Sequence, residues 1–135
     1  MIALLVDDVV RNALREDLGR AGDLTTDAIV PPEATGEARI VAREAGVVSG
    51  TLTVERTFAF LDPRVKVEIV VPDGGRVAPG SVVATIAGPL RSILTGERVA
   101  LNFLCRLCGI ASATARLVDA VAGTRVVIAD TRKTT

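Results

Sequence analysis

The chain has 135 residues, with 16 basic and 16 acidic side chains, no His, Trp or Tyr, and a hydrophobic share of 49%. A formal net charge of +0 and a pI near 6.3 leave no basic field, which argues against nucleic acid or an anionic membrane surface as a partner. The absence of His excludes a Ser-His-Asp triad and a His zinc ligand from this segment. Its chemistry would therefore depend on Arg, Lys, carboxylates, hydroxyls or two thiols.

The first residues show no sign of an address or an anchor. The apolar run 1–6 leads directly into Asp7 and Asp8, without a basic region or a cleavage site, so we expect no signal peptide. No run of about 18 consecutive apolar residues occurs, so we expect no membrane span. Cys105 and Cys108 share a predicted helix face, where a disulfide would break the helix. We interpret both as small buried hydrophobic residues in a reducing cytoplasm.

The predicted elements begin with a helix and continue with short strands. Residues 7–18 have apolar side chains at helical spacing, with Asp7 as the N-cap and Gly19 as the end. Residues 16–26 follow as a polar connection, whose carboxylates suit turns and caps or, alternatively, a metal. The pattern then predicts strands at residues 38–43, 46–50, 65–71 and 81–87, with a helix at 52–60.

The strand region also suggests a carrier module. Turns at 72–75 and 78–80 surround Arg76 and Val77, an arrangement that resembles the barrel-sandwich module of biotinyl and lipoyl carriers. A carrier needs an exposed Lys at a hairpin tip, whereas Lys66 lies inside a predicted strand. We therefore take this similarity as architectural.

A long apolar stretch dominates the last third of the chain. Residues 90–107 form a predicted helix whose apolar surface is wider than one stripe, so we expect burial on more than one flank. Gly109 is predicted to interrupt it, with a second helix at 110–121 and a continuous buried strand at 125–129. A helix that leads into a buried strand is how a parallel α/β unit begins, and ligands gather at the carboxyl ends of such strands.

Five blocks of sequence carry a family resemblance. They are Glu16-Asp17-Leu18 with Gly22-Asp23-Leu24-Thr25-Thr26, Ala42-Arg43-Glu44-Ala45-Gly46-Val47-Val48-Ser49-Gly50, Glu97-Arg98-Val99-Ala100-Leu101-Asn102-Phe103-Leu104, Gly109-Ile110-Ala111-Ser112-Ala113-Thr114 and Asp130-Thr131-Arg132-Lys133-Thr134. In this order they resemble quinolinate phosphoribosyltransferases, the carboxylating nicotinate-nucleotide pyrophosphorylases. The resemblance runs from about residue 7 to the last residue, and the third and fifth blocks are its most diagnostic parts.

This resemblance implies a fold and a division into domains. Residues 1–109 would form an α+β N-terminal domain, an α/β sandwich with a barrel-sandwich-like antiparallel sheet. Residues 110–135 would supply the first helix and strand of an α/β barrel. Members of the family continue for roughly as many residues again. One barrel strand cannot close a barrel, so we expect this segment to be part of a longer enzyme and inactive alone.

The resemblance also implies an activity and its partners. The enzyme would transfer phosphoribosyl from phosphoribosyl pyrophosphate (PRPP) to quinolinate with decarboxylation, giving nicotinate mononucleotide, pyrophosphate and CO2 in NAD biosynthesis. Mg²⁺ would accompany PRPP, with ligands beyond residue 135 and no metal ligand within this segment. The protein would be a cytoplasmic homodimer without nucleic-acid or membrane partners.

The implied site residues are mainly cationic, as two anionic substrates require. Arg98 would reach the dicarboxylate bound by the neighbouring subunit, which makes the site depend on the dimer. Thr131, Arg132 and Lys133 would bind substrate at the end of the first barrel strand, with Lys133 as a catalytic residue. By their residue types alone, Arg98 suits a surface ion pair equally well, and Arg132 and Lys133 suit a solvated chain end.

Two other functions stay open from the sequence. One is a related phosphoribosyltransferase that acts on another aromatic acid. The other is a non-catalytic binding or assembly module that kept the fold.

Overall fold

The computed structural model describes the backbone of residues 2–131 and the side chains of residues 4–131. Its elements are α1 Ile2–Leu18, α2 Leu24–Ile29, β1 Thr35–Val41, β2 Gly46–Val47, α3 Thr51–Leu61, β3 Lys66–Ile69, β4 Arg76–Val77, β5 Val82–Pro89 and α4 Leu90–Ala120. The described part of the chain is thus an α+β domain, as predicted.

Helix α1 begins earlier than predicted. It starts at Ile2, because residues 2–6 contain no helix breaker and continue the apolar pattern, so the prediction of Asp7 as N-cap is wrong. Asp7 instead pairs with Arg56 of α3 at 3.0 Å. Gly19 ends the helix as predicted: its φ is +51°, and its N–H donates to the carbonyl of Arg15 at 3.0 Å.

The sheets are antiparallel throughout. Strand β5 lies between β1 and β3, and Ile86 is paired with Ala38 on one side and with Val67 on the other. The two short strands β2 and β4 form a separate pair, which is briefer than the sequence predicts. Helices α3 and α4 cover the main sheet, so the sequence's barrel-sandwich-like pattern produces an open α/β sandwich.

Two apolar clusters hold the helices to the sheet and to each other. The larger one joins α3, α4 and the main sheet around these buried residues: Val48, Val54, Phe58, Val65, Val83, Ile86, Ile93, Ala100 and Leu104. The smaller one is formed by Val10 and Leu14 of α1 with Val99 of α4. Burial of these side chains is the main force that fixes α1 against α4.

Helix α4 runs for 31 residues without a break, so the predicted interruption at Gly109 is wrong. A glycine inside a helix costs only about 1 kcal/mol relative to alanine, which good helix formers on either side offset. The continuous helix crosses the predicted boundary between residues 109 and 110, and that boundary stays a prediction.

Helix α4 is also long and apolar enough to cross a membrane, the one such helix among residues 2–131. Its mean hydropathy is 1.3 over an 18-residue window, of which 6% is buried. Length and composition alone are weak support for a span, since the core helix of a larger soluble protein has the same properties.

The buried strand predicted at 125–129 is not formed. Residues 121–131 are turns and irregular backbone, and the side chains of Val126 and Val127 are 58% and 83% exposed. A strand needs a neighbour for its backbone hydrogen bonds, and none of the described strands lies beside this segment. The start of a barrel is therefore not visible in the described residues.

Candidate functional site

Arg98 is an exposed cation that forms a long ion pair with one carboxylate of the domain. Its side chain is 76% exposed, and its Nε lies 3.7 Å from Oδ1 of Asp17 in the last turn of α1. Asp17 is more enclosed, with its side chain 25% exposed. The smaller apolar cluster explains the pairing, because Val99 holds α4 against α1 beside Arg98. Within residues 2–131, Asp17 is the only ion-pair partner of Arg98.

A second carboxylate, Asp23, lies near Arg98. It caps α2 by accepting from the N–H of Thr26 at 3.0 Å and from its hydroxyl at 2.6 Å. It also accepts from the hydroxyl of Thr95 at 3.1 Å, one helical turn before Arg98. These hydrogen bonds, chiefly those from Thr26, lower the pKa of Asp23, and the positive charge of Arg98 lowers it further.

The structure thus joins the first and third sequence blocks. Asp17 and Asp23 come from the polar connection at 16–26, and Thr95 and Arg98 come from α4. Of the two alternatives for the connection, turns and caps are what the structure has for Asp23. In residues 2–131 no group of three or more His, Cys, Asp or Glu side chains is placed to hold a metal ion.

A groove of about 250 Å³ continues from this region along α1 and α4. Its lining residues are Ala13, Glu16, Asp17, Val99, Asn102, Phe103 and Arg106. Asn102 and Arg106 follow Arg98 by one and two turns on α4. The groove therefore has the carboxylates of Glu16 and Asp17 on the α1 side and an amide and a guanidinium on the α4 side.

Two other arginines, Arg91 and Arg64, differ from Arg98 because their guanidinium groups form several hydrogen bonds within the chain. Arg91 donates from Nε to the carbonyl of Val30 at 2.7 Å and from a terminal nitrogen to the carbonyl of Asp27 at 2.9 Å, which satisfies the end of α2. Arg64 binds both carboxylate oxygens of Asp62 at 2.9 and 2.8 Å. These contacts are structural, so of these three arginines Arg98 is the better candidate for a ligand.

The second and fourth sequence blocks meet elsewhere, and their contacts are packing contacts. The N–H of Val47 donates to the hydroxyl of Ser112 at 2.9 Å. A Cβ at Gly46 would lie 2.6 Å from that hydroxyl, and one at Gly50 would lie 2.5 Å from a methyl of Leu107. The glycines of the second block therefore allow β2 to approach α4 closely.

The two cysteines differ in their exposure to solvent. Cys108 is half-buried and accepts from the N–H of Ser49 at 3.3 Å, in keeping with a packing role. Cys105 is exposed, so its interpretation as a buried residue is wrong for this domain. Both are free thiols.

The fourth block also lines a second groove, of about 480 Å³, along the C-terminal half of α4. Its lining residues are Ser49, Arg76, Leu107, Ile110, Ala111, Thr114, Ala115, Val118 and Asp119. The sequence interpretation missed this groove. The small residues Ala111 and Ala115, four positions apart on one helix face, were the signal for it.

The remaining predicted site residues follow α4. Thr131 is exposed at the end of the irregular segment, whereas Arg98 lies on α4. Arg132 and Lys133 lie outside the described residues. The structure therefore places Arg98 in a defined environment, and the roles of the other three residues stay predictions.

Comparison with known proteins gives a consistent result. The family "Quinolinate phosphoribosyl transferase, N-terminal domain" matches residues 23–108. A probable carboxylating nicotinate-nucleotide pyrophosphorylase from Synechocystis is 42% identical over 98% of this chain and 44% of its own length. A decarboxylating quinolinate phosphoribosyltransferase from Nicotiana tabacum, named 2b and mitochondrial, is 38% identical over 94% of this chain and 36% of its own length.

A solved structure agrees with both relatives. The crystal structure of NadC from Streptococcus pyogenes superimposes with a TM-score of 0.92 at 42% identity, over 98% of this chain and 47% of that one. The chain spans less than half the length of each of these proteins. Since the family match covers most of the residues, the chain belongs to the quinolinate phosphoribosyltransferase family and carries its N-terminal domain.

Proposed function

We propose that the chain is the N-terminal part of an enzyme that transfers phosphoribosyl from PRPP to quinolinate with decarboxylation, and so makes nicotinate mononucleotide for NAD biosynthesis. The observation that carries the proposal is the setting of Arg98. This residue belongs to the Glu-Arg-x-x-Leu-Asn block, its guanidinium is exposed, and its Nε is paired with Asp17 of α1. A planar guanidinium binds a carboxylate through two parallel hydrogen bonds, and quinolinate offers two carboxylates.

The chain's own residues would bind and orient the substrates. Arg98 would bind a quinolinate carboxylate in the site of the neighbouring subunit, so that a homodimer is the active form. Thr131, Arg132 and Lys133 would bind substrate from the segment after α4, with Lys133 acting as a catalytic cation. Loss of pyrophosphate leaves an oxocarbenium-like ribosyl centre, which the quinolinate nitrogen attacks, and CO2 leaves afterwards. Fixed charges and positioning would therefore supply most of the rate enhancement.

Mg²⁺ would offset the charge of the leaving pyrophosphate. Its protein ligands would come from the rest of the enzyme. We place the protein in the cytoplasm, although the tobacco relative is named as mitochondrial and the compartment thus differs within the family.

The test is a chimeric enzyme in which residues 1–135 replace the matching segment of the Synechocystis relative. We expect quinolinate-dependent release of pyrophosphate and CO2, and a loss of about 100-fold in kcat/KM on Arg98→Ala, the size of effect expected when a charge-assisted bidentate contact disappears. Arg39→Ala removes the same charge from the exposed face of β1 and should leave the rate unchanged.

The outcomes separate the possible functions. A chimera that melts cooperatively and stays inactive beside the active parent would refute the activity and favour a non-catalytic module. Turnover with another aromatic acid in place of quinolinate would favour a related transferase. The 135-residue chain alone should show no turnover above background.

A further inference from the structure

Asp17 and Glu16 occupy an unfavourable place on α1. Both lie in the last turn of the helix, where the dipole favours cations and disfavours carboxylates. A residue that breaks a local rule without a local benefit is expected to act through a tertiary contact. The described tertiary ion pair of Asp17 is the one with Arg98, its Oδ1 lying 3.7 Å from Nε.

The contact leaves the outer part of the guanidinium exposed. Asp17 faces Nε, and within residues 2–131 no hydrogen bond or ion pair joins the terminal nitrogens of Arg98 to another group. Arg91 differs, because its terminal nitrogens are both used by Asp27 at 2.9 and 3.2 Å. Arg98 therefore has Nε beside a carboxylate, while its side chain is 76% exposed.

The helices that carry this pair are packed together beside it. Val10, Leu14 and Val99 pack α1 against α4 beside it, and the hydrogen bond from Thr95 to Asp23 fixes the start of α2 to the preceding turn of α4. The helix that carries Asp17 is thus packed on α4 by contacts that do not involve Arg98.

We propose that Asp17 is a positioning residue for substrate binding: its carboxylate orients Arg98 so that the two terminal nitrogens are presented to a carboxylate of the aromatic acid. This inference rests on the proposed function. Ordering a flexible arginine before the substrate arrives removes part of the entropic cost of binding. The negative charge of Asp17 acts in the opposite sense, since it weakens the attraction of the site for an anion.

Two substitutions test whether orientation or charge dominates in the chimeric enzyme. Asp17→Ala removes the carboxylate of the ion pair, and we expect KM for quinolinate to rise about two- to tenfold with kcat little changed, the range expected for one immobilised side chain. Asp17→Asn keeps the size of the side chain but removes the charge of a contact that is longer than a hydrogen bond, so KM should rise by a similar factor. A fall in KM with both substitutions would mean that charge dominates, and it would overturn the proposal.

A double variant and a matched control exclude a purely structural effect. In the Arg98→Ala background, Asp17→Ala should change KM no further, because the residue through which it acts is gone. Asp7→Ala breaks the other ion pair of α1, with Arg56 at 3.0 Å, and should leave KM unchanged. A KM increase that persists without Arg98, or that Asp7→Ala reproduces, would overturn the proposal.

A second readout does not need catalysis. In the 135-residue chain, ¹⁵N relaxation of the Arg98 Nε–H group should show greater motion in Asp17→Ala and little change in Asp7→Ala. If Asp17→Ala leaves this motion unchanged, Asp17 does not orient Arg98. If the motion increases but a folded chimera is inactive, the proposed function fails and the substrate-binding role fails with it, while the orienting contact stands.

Discussion

The two halves of α4 have similar apolar sequences and opposite environments. Every buried residue of the helix lies between positions 93 and 104, where α1, α3 and the sheet cover it. From 105 onward no side chain of the helix is buried, and Ile110, Leu117 and Val118 are each about half exposed. The comparison teaches that apolar periodicity tells where a helix can be covered, whereas the neighbouring elements decide whether it is.

The two glycines inside α4 show the same contrast at the level of single atoms. At Gly96 an added Cβ would lie 2.6 Å from the ring of Phe58 and 2.9 Å from a methyl of Leu61. At Gly109 the same atom would meet nothing within 4 Å. Gly96 is therefore required for the close approach of α3 and α4, and Gly109 has no such role in the described part of the chain.

The largest expected effect on stability is the difference between two leucines, one in each half of the helix. Leu104 is 4% exposed and Leu117 is 58% exposed. Leu104→Ala should lower the free energy of unfolding by about 2–5 kcal/mol through lost burial and the cavity that remains. Leu117→Ala should change it by no more than about 0.5 kcal/mol. Urea denaturation of the 135-residue chain measures both, and equal losses would mean that the C-terminal half is covered in solution.

The glycine pair predicts changes of opposite sign. Gly96→Ala should destabilise the domain by about 1–3 kcal/mol, because Phe58 and α3 must shift to admit the methyl group. Gly109→Ala should stabilise it by about 1 kcal/mol, since the helix gains propensity and nothing obstructs the new atom. Thermal melting compares the two variants, and a lower melting temperature for Gly109→Ala would show that this position is occupied from outside.

How far the sequence predicts these features depends on the range of the contacts. The end of α1 at Gly19 and the helical pattern of α3 depend on residues close in sequence, and both predictions are confirmed. The prediction of a strand at 125–129 is wrong for the described residues, because a strand needs neighbouring strands and none of those described lies beside this segment. Local pattern also predicted a break at Gly109, which the preferences of the surrounding residues override.

The candidate site also contains features that local sequence predicts and features that depend on tertiary packing. Residue type and motif single out Arg98, and in the structure it is exposed and forms a surface ion pair, while its role at a substrate stays a prediction. Its pairing with Asp17 and the link between Asp23 and Thr95 depend on how α1 and α2 pack on α4, which no local pattern states. The motif blocks contained three of these four residues without indicating that they meet.

Acid should weaken the N-terminal half of α4 through Asp62. This carboxylate ends α3 and accepts from the hydroxyl of Ser92 in the first turn of α4 at 2.8 Å. Hydrogen bonds from Arg64, joined by that from Ser92, hold the pKa of Asp62 well below its ordinary value of 3.8. The unfolded chain therefore takes up the proton first, so the stabilisation is complete above about pH 5 and is lost as the pH falls through the lowered pKa.

Asp62→Asn should accordingly lower stability at pH 7 and make its decline between about pH 5 and pH 2 shallower. Asp23 and Asp73 also have lowered pKa values, so part of the decline should remain. Ser92→Ala removes one hydrogen bond and should give a smaller change in the same direction. Urea midpoints measured across this pH range check that Asp62→Asn has a larger effect than Ser92→Ala. Identical pH profiles for wild type and Asp62→Asn would refute the role of Asp62 in acid destabilisation.

The smallest effect expected concerns the ion pair that joins β4 to the C-terminal half of α4. A terminal nitrogen of Arg76 lies 2.8 and 2.9 Å from the two carboxylate oxygens of Asp119, but the side chains are 67% and 54% exposed. Solvent and salt screen such a pair, so a double-mutant cycle with Arg76→Ala and Asp119→Ala should give a coupling of about 0.2–1 kcal/mol that falls as salt is added. A larger, salt-insensitive coupling would mean that the groove beside this pair is closed to solvent, and the contrast between the two halves of α4 would then not hold in solution.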